Sequence, residues 1–346
     1  MENAPSSSSP PLGVLLINLG TPASPAVGDV RRYLREFLSD PRVLTFSPLG
    51  RWLLLNLVIL PFRPRKTAAA YSKIWQKEGS PLLIHSRSLQ AAVAKQLGEG
   101  FRVELAMRYQ EPDIGSALER MKQEGIEDVF VLPLFPQYAE AATGSAVARV
   151  VEENQRLGTR FRLLHFGDFY EDADFIEAQA ATMRPLLESR DWDHVLFSYH
   201  GLPESQLRTL PGCLASEACC DSREGPERRC YRAQCMRTSR ALVGALGLEA
   251  QRQSSSFQSR LTREPWIKPY TDFVLPILYA EGARSLLVVC PAFTADNLET
   301  LEEVGIRLRE QWEGLGGEDF ALAPCVNASP LFVEAVSHWA RRQRSP

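Results

Sequence analysis

Short apolar runs alternate with longer amphipathic stretches along the whole chain. Eight runs read as strands: Val14–Leu19, Val103–Tyr109, Asp128–Phe135, Phe161–Phe166, His194–His200, Gln253–Ser259, Ser285–Cys290 and Phe320–Val326. Most are apolar on successive residues rather than on every second one, the pattern of parallel strands covered on both faces. Between them, helical periodicity predicts helices such as Asp113–Glu124, Gly144–Gln155, Asp174–Ser189 and Leu298–Trp312. This alternation implies an α/β fold built on parallel, doubly wound sheets. The strands divide into two sets of four around Phe169–Asp172. Two facing α/β domains with parallel four-stranded sheets are therefore expected, over 12–168 and 169–346, behind a leader at 1–11. Ligands of such folds gather at the carboxyl ends of the strands. Asn18, Arg108, Tyr109, Gln137, His200 and Asp296 fall at or just beyond those ends.

Composition narrows the function without choosing it. A chain of 346 residues is long for one core, which agrees with two domains. A net charge of −3 offers no basic surface for phosphates, so nucleic acid is excluded as a partner. The opening MENAPSSSSPP has neither a positive start nor an apolar core, so it reads as a disordered leader rather than an export signal, and a cytoplasmic location is expected. No apolar run is long enough to span a bilayer. The longest, Trp52–Leu60, is interrupted by Asn56 and followed by Arg63, Arg65 and Lys66. Segment 49–66 is either a core helix or an apolar lip resting on a membrane surface, with its cations at the headgroups.

Several chemistries are absent. Leu19-Gly20-Thr21-Pro22 follows the first strand in place of a dinucleotide or nucleotide-phosphate glycine fingerprint. No G-x-S-x-G elbow for serine hydrolysis occurs.

His200 closes an apolar strand and is followed by Gly201 and Pro203, which turn the chain and aim the imidazole at a cleft. It can act there as a base or a metal ligand near neutrality, or be a turn histidine bonded to backbone. A second constellation, Phe293 to Glu303, opens a helix. Asp296 or Thr294 can cap that helix, with Glu299 completing a capping box. Alternatively, Asp296, Glu299 and Glu303 form a row of carboxylates on one face, suited to protons or a hard divalent metal in transit; Glu302 lies off that face and is expected to be a solvated charge. Arg260 or Arg263, close to Trp266, can hold carboxylates of an acidic substrate or merely pair with neighbouring acids. Pro133 to Tyr138 adds aromatic walls suited to a large flat ligand. Five cysteines, Cys213, Cys219, Cys220, Cys230 and Cys235, crowd into one stretch without common zinc-ribbon spacing. Four of them suffice for a [2Fe–2S] cluster, with zinc and free thiols as alternatives.

Taken in order, Leu16-Ile17-Asn18-Leu19-Gly20-Thr21-Pro22, Glu78-Gly79-Ser80-Pro81-Leu82, Leu132 to Tyr138, Ser198-Tyr199-His200-Gly201-Leu202-Pro203, Phe257-Gln258-Ser259-Arg260 and Phe293 to Glu303 make the chain resemble the ferrochelatases from Leu15 to about Asn327. That resemblance implies two Rossmann-like domains of the class II chelatase type and insertion of ferrous iron into protoporphyrin to form protohaem. It carries the active-site histidine onto His200 and the essential glutamate onto Glu299. Asp296 and Glu303 match the remaining acidic path, with Fe²⁺ as the metal handled by His200, Glu299 and Asp296. Asn18, Arg108, Tyr109, Gln137 and Trp266 are the expected porphyrin contacts. Trp52–Leu60 matches the family's active-site lip, implying peripheral contact at the inner membrane surface. The cysteine-rich insertion at 205–235 is implied to hold a cluster of structural or regulatory role. A chelatase for another tetrapyrrole, such as coproporphyrin, or another metal, and a non-catalytic haem-binding iron–sulfur protein are the alternatives.

Overall fold

The computed structural model describes residues 10–208, 217–220, 230–262 and 264–344. Most of the expected leader, Cys213 and Arg263 lie outside these residues. Eight strands form among the described residues: β1 (Leu12–Gly20), β2 (Phe101–Tyr109), β3 (Asp128–Pro133), β4 (Arg162–His165), β5 (His194–His200), β6 (Gln253–Gln258), β7 (Ser285–Val289) and β8 (Asp319–Leu322). They make two four-stranded sheets, ordered β2-β1-β3-β4 and β6-β5-β7-β8. Every pairing is parallel, with Leu16 opposite both Leu105 and Leu132, and Leu196 opposite both Ser254 and Val288. The two α/β domains expected from the strand pattern are thus present.

The continuous apolar runs have a direct cause. Val14 and Leu16 on β1 face a core with Phe130 and Leu132, while Leu15 and Ile17 face the opposite side with Ile114, Leu118 and Val131. In the second sheet, Phe197 and Leu287 join the first of these cores, and Leu196 and Val288 turn to another with Trp312. Each central strand therefore buries both faces, and the inner faces of the two domains share one core. The helix Pro330–Arg344 completes that core from the rear, where it packs on the helices Pro81–Leu97 and Ala173–Ser189. Trp339 lies 4.6 Å, ring to ring, from Phe166 and 5.1 Å from Phe169.

In both sheets the strand order reverses at the first strand. β1 stands between β2 and β3, and β5 between β6 and β7. Chain segments leaving the sheet diverge at such a point and open a crevice beyond the carboxyl ends. The two crevices face each other.

Trp52–Leu60 packs one face on the core and leaves the other exposed. It is helical across Pro48–Leu53, Leu54–Ile59 and Leu60–Ile74, and the middle turn is widened to π-helical geometry. Leu55, Ile59 and Leu60 pack on Val30, Leu34 and Leu38 of the helix Val27–Ser39. The outer face leaves Leu49, Leu57 and Val58 exposed, with Trp52 at 57% and Phe62 at 75%. No helix among the described residues is long and apolar enough to cross a membrane.

Candidate active site

Two compartments fill the cleft. The inner one is lined by Asn18 and Gly20 at the end of β1 and Thr21 after it, by Leu134, Phe135 and Gln137 after β3, and by Phe293 to Glu299 without Asp296. The outer one opens to solvent past Thr45 and Phe46, Arg63 and Lys66, Ser259 to Thr262, and Trp266, and encloses about 1960 Å³ counting its open mouth. Both are walled by Tyr33, Phe37, Tyr71, His200, Leu202, Leu298 and Glu299. His200 and Glu299 thus stand where the two compartments meet.

The local chain geometry explains how. Gly20 has φ +117°, and a Cβ there would run into the Tyr109 carbonyl, so β1 can end flush with β2 only with glycine. Gly201 lets the chain turn against β6: a Cβ would lie 2.9 Å from the Gln258 carbonyl oxygen. His200 is held from two sides. Its backbone carbonyl accepts a 2.8 Å hydrogen bond from the Tyr231 hydroxyl, and Phe293 meets the ring edge-on at 6.4 Å. Its Nδ1 is 2.6 Å from the Gly201 carbonyl oxygen. A carbonyl can only accept, so Nδ1 carries the proton and Nε2 keeps its lone pair. Burial lowers the imidazole pKa, opposed by the Glu303 charge and the Gly201 bond, so the ring is neutral at neutral pH.

Glu299 and Glu303 sit on the helix Glu299–Leu308, which is π-helical along its length. Such turns are frequent at functional sites. Burial pushes the Glu299 carboxyl up to about 7; its backbone hydrogen bond and Arg307 act against this, while Glu303 and Glu302 reinforce it. Glu303 accepts from the Ser259 amide at 3.1 Å and the Ser259 hydroxyl at 2.5 Å. Gln258 donates at 3.3 Å to the Glu299 carbonyl and accepts at 2.6 Å from Ser198 on the neighbouring strand. The ends of β5 and β6 therefore hold the carboxylate helix in register with His200.

Other candidate residues are dispersed. Asn18 and Gln137 line the inner compartment and Trp266 the outer one. Arg108 and Tyr109 reach neither cavity. They converge instead on buried Asp40, at 2.8 Å and 2.9 Å, together with Ser145, and so tie down the loop that leads into the lip. Asp296 is turned away too: its carboxylate accepts from Asn327 at 2.7 Å, the Cys325 amide at 3.3 Å and Thr300 at 3.3 Å. The helix is capped by Asn297, which accepts from the Thr300 amide at 3.0 Å, rather than by Asp296 or Thr294. Thr294 bonds across the cleft to the Leu134 carbonyl.

Glu302, expected to be a solvated charge, is buried. It bonds Lys73 at 3.1 Å and Arg307 at 2.8 Å. The expectation assumed an α-helix, in which residues three and four apart are neighbours; the wider turn brings positions five apart, Glu302 and Arg307, onto one side. Arg63 and Lys66, taken for headgroup cations, line the outer mouth. Arg260 also lines it, but pairs with Asp272 and lies 4.2 Å from the Tyr270 ring centre. Tyr33, Tyr71 and Tyr231 were not singled out in the sequence. Each is a lone tyrosine in a helical pattern, with no local signal that it faces a cleft.

Four of the five clustered cysteines are described. Cys219 Sγ and Cys220 Sγ are 3.9 Å apart, and Arg232 donates to Cys220 Sγ at 3.0 Å. The neighbouring Cys230 and burial push the Cys220 thiol pKa up, and Cys220 in turn acts on buried Cys235. Among the described residues, no three His, Cys, Asp or Glu side chains stand in metal-holding geometry.

Two parallel α/β domains closing on a neutral histidine and a buried carboxylate form a chelatase fold. SirB from Bacillus subtilis, solved with Fe³⁺, superposes with a TM-score of 0.56 at 12% identity, over 96% of this chain and 95% of that one. The sirohydrochlorin chelatase SirB from Bacillus subtilis subspecies spizizenii with cobalt gives 0.55 at 11% identity, over 96% and 94%. The chain belongs to the ferrochelatase family, whose model matches residues 11–344. Ferrochelatases of Coxiella burnetii (45% identity over 96% of this chain and 93% of theirs), Legionella pneumophila (43%, 96% and 99%) and Bdellovibrio bacteriovorus (42%, 94% and 97%) are similar nearly end to end.

Proposed function

We propose that the protein inserts ferrous iron into protoporphyrin to form protohaem, with His200 and Glu299 receiving the protons that leave the macrocycle. The reaction replaces two pyrrole N–H protons by one Fe²⁺, so charge balances when both protons depart. The observation carrying this reading is the junction of the two compartments. There a neutral imidazole with a free Nε2 lies on the same wall as a carboxyl whose pKa is about 7. Both groups can take a proton near neutral pH, the condition for general-base catalysis. Glu303, bonded to Ser259 and also on the outer wall, is the next acceptor toward solvent. Phe37, Tyr71, Leu202 and Leu298 offer apolar walls from both domains to a flat ring, and Asn18, Gln137 and Trp266 border it. Arg63 and Lys66 at the mouth suit carboxylates of an acidic macrocycle better than Arg260, which already holds Asp272. Asp296 acts through the loop it braces rather than as a ligand.

Three further assignments belong to this reading. The exposed lip, with Trp52 and Phe62 outermost, rests on a membrane surface from the cytoplasmic side. Four of the five cysteines Cys213, Cys219, Cys220, Cys230 and Cys235 hold a [2Fe–2S] cluster. The thiols fit in number and softness, and Arg232 beside Cys220 offsets part of the rise that Cys230 and burial impose on that thiol's pKa. Iron and sulfide content with absorbance and EPR of anaerobically purified protein test this, zinc in place of iron being the contrary result. The domain limits are 12–168 and 169–346, with the last helix lying behind both.

Anaerobic incubation of Fe²⁺ with protoporphyrin, followed by absorbance, tests the function. Haem formation supports the proposal. Faster turnover with coproporphyrin or cobalt would reassign substrate or metal, and porphyrin binding without turnover would leave a binding protein.

A further inference from the structure

The buried Glu302 receives no proton in the path just described, although its charge helps raise the Glu299 pKa, and it stands at the mouth with cations from both domains. Lys73 comes from the end of the lip helix Leu60–Ile74, and Arg307 from the carboxylate helix itself. Each takes one carboxylate oxygen: Lys73 Nζ lies 3.1 Å from Oε1 and Arg307 Nε 2.8 Å from Oε2. All three line the outer compartment. The Glu302 side chain is 6% exposed, against 48% for Lys73. Arg307 also stands 3.8 Å from Glu303, so Lys73 is the one of the two cations that belongs to Glu302 and reaches it across the cleft.

The rear of the cleft is joined differently. Gln137 donates to Thr238 at 2.9 Å, the Tyr138 amide to Gln234 at 2.6 Å and Thr294 to the Leu134 carbonyl at 3.0 Å. These are short hydrogen bonds of mainly buried neutral groups, beside the core that the two domains share. Breaking them strands polar groups away from water, whereas a half-exposed ion pair exchanges readily with water and salt. The cleft is therefore stitched at the back, whereas at the front Leu298 and Leu261 pack on the apolar cluster around Tyr71 and the Lys73–Glu302 pair is the part of the contact open to water and salt.

We propose that Lys73 and Glu302, backed by Arg307, form an interdomain clasp that sets the width of the mouth and so positions the porphyrin against His200 and Glu299. Lys73 and Glu302 are positioning residues. Neither removes a proton nor holds the metal. The clasp rests on the porphyrin reading of the cleft. Porphyrin affinity measured without metal, by fluorescence quenching, therefore tests the clasp even if turnover fails, and absence of all porphyrin binding would count against the substrate reading instead.

The experiment compares wild type, Lys73→Met, Lys73→Arg, Glu302→Gln and the double variant Lys73→Met/Glu302→Gln at low and high NaCl. Lys73→Met is expected to raise the porphyrin KM and Kd by about three- to tenfold with kcat within twofold of wild type, and Lys73→Arg to restore wild-type values. Glu302→Gln should weaken porphyrin binding in the same direction, and the double variant should be no worse than the poorer single one. Salt should weaken binding by wild type more than by Lys73→Met. If Lys73 instead attracted the porphyrin carboxylates directly, Glu302→Gln would tighten binding, and that result overturns the clasp. Independent, multiplying effects of the two substitutions, or wild-type affinity in Lys73→Met at every salt concentration, overturn it too. Should Glu302→Gln fail to fold, the Lys73 pair and its salt dependence still decide the matter.

Discussion

The two domains carry the same four-stranded parallel sheet in the same order, yet the ends of their strands are furnished oppositely. Beyond β1 and β3 stand Asn18, Thr21 and Gln137, with Tyr33 and Tyr71 from the lip side: neutral groups, the two phenols held far from ionisation first by burial and then by neighbouring charge or phenol, Glu299 among them. At and beyond the ends of β5, β6 and β7 stand His200, Ser259, Glu299 and Glu303. The first domain supplies a wall and the second supplies proton acceptors. Topology made two equivalent crevices, and side chains alone gave one of them chemistry, as expected when function is grafted onto a shared fold.

The comparison breaks most sharply at His200. Replacing it by Ala should lower iron insertion by on the order of 10²–10⁴-fold, read as kcat in the absorbance assay, while porphyrin binding persists. Near wild-type turnover would return the chemistry to the first domain. Glu299→Gln should cost on the order of 10²-fold and remove a pH limb. The carboxyl must be ionised to accept a proton, so kcat/KM of the wild type should rise with pH through about 7 and that rise should vanish in the variant. Stability has the opposite sign. A carboxyl whose folded pKa is raised contributes fully below its unfolded value of about 4.3, and that contribution is lost as pH rises through the folded value. The Tm of Glu299→Gln should therefore gain on wild type at pH 8 relative to pH 5.

A smaller effect separates the wall from the acceptors. Gln137→Ala removes the partner of Thr238 and should destabilise by about 1–3 kcal/mol in urea unfolding, with kcat falling less than in either variant above. An equal loss of kcat would make Gln137 part of the chemistry. The smallest effect on turnover belongs to the lip. Trp52→Ser with Phe62→Ser should abolish sedimentation with anionic vesicles while kcat in detergent stays within about twofold of wild type. Retained vesicle binding would move the membrane contact elsewhere.

The strands were legible because a parallel sheet covered on both faces demands consecutive apolar residues, a signal carried within each segment. All eight expected strands form, although β4 and β8 are shorter than the apolar runs that announced them. His200 was legible for a related reason: an apolar strand that ends in histidine and turns at glycine can point only beyond the sheet. The Glu302 error came from the helix type, since the π-helical turn is held by packing and by Gln258 and Ser259 rather than by local propensity.

What the sequence determined by itself was therefore the set of elements, their parallel direction and the residues standing at strand ends. Each follows from the period of the chain and the chemistry of neighbouring residues. Tertiary structure decided where those side chains are spent. It sent Arg108 and Tyr109 to Asp40, Asp296 to Asn327 and Glu302 to Lys73, partners 31 or more positions distant in the chain, with the nearer Thr300 and Arg307 joining Asp296 and Glu302. A buried charged or polar group must find a partner wherever the fold brings one within reach. That choice is made by packing between segments far apart in sequence, and no local pattern records it.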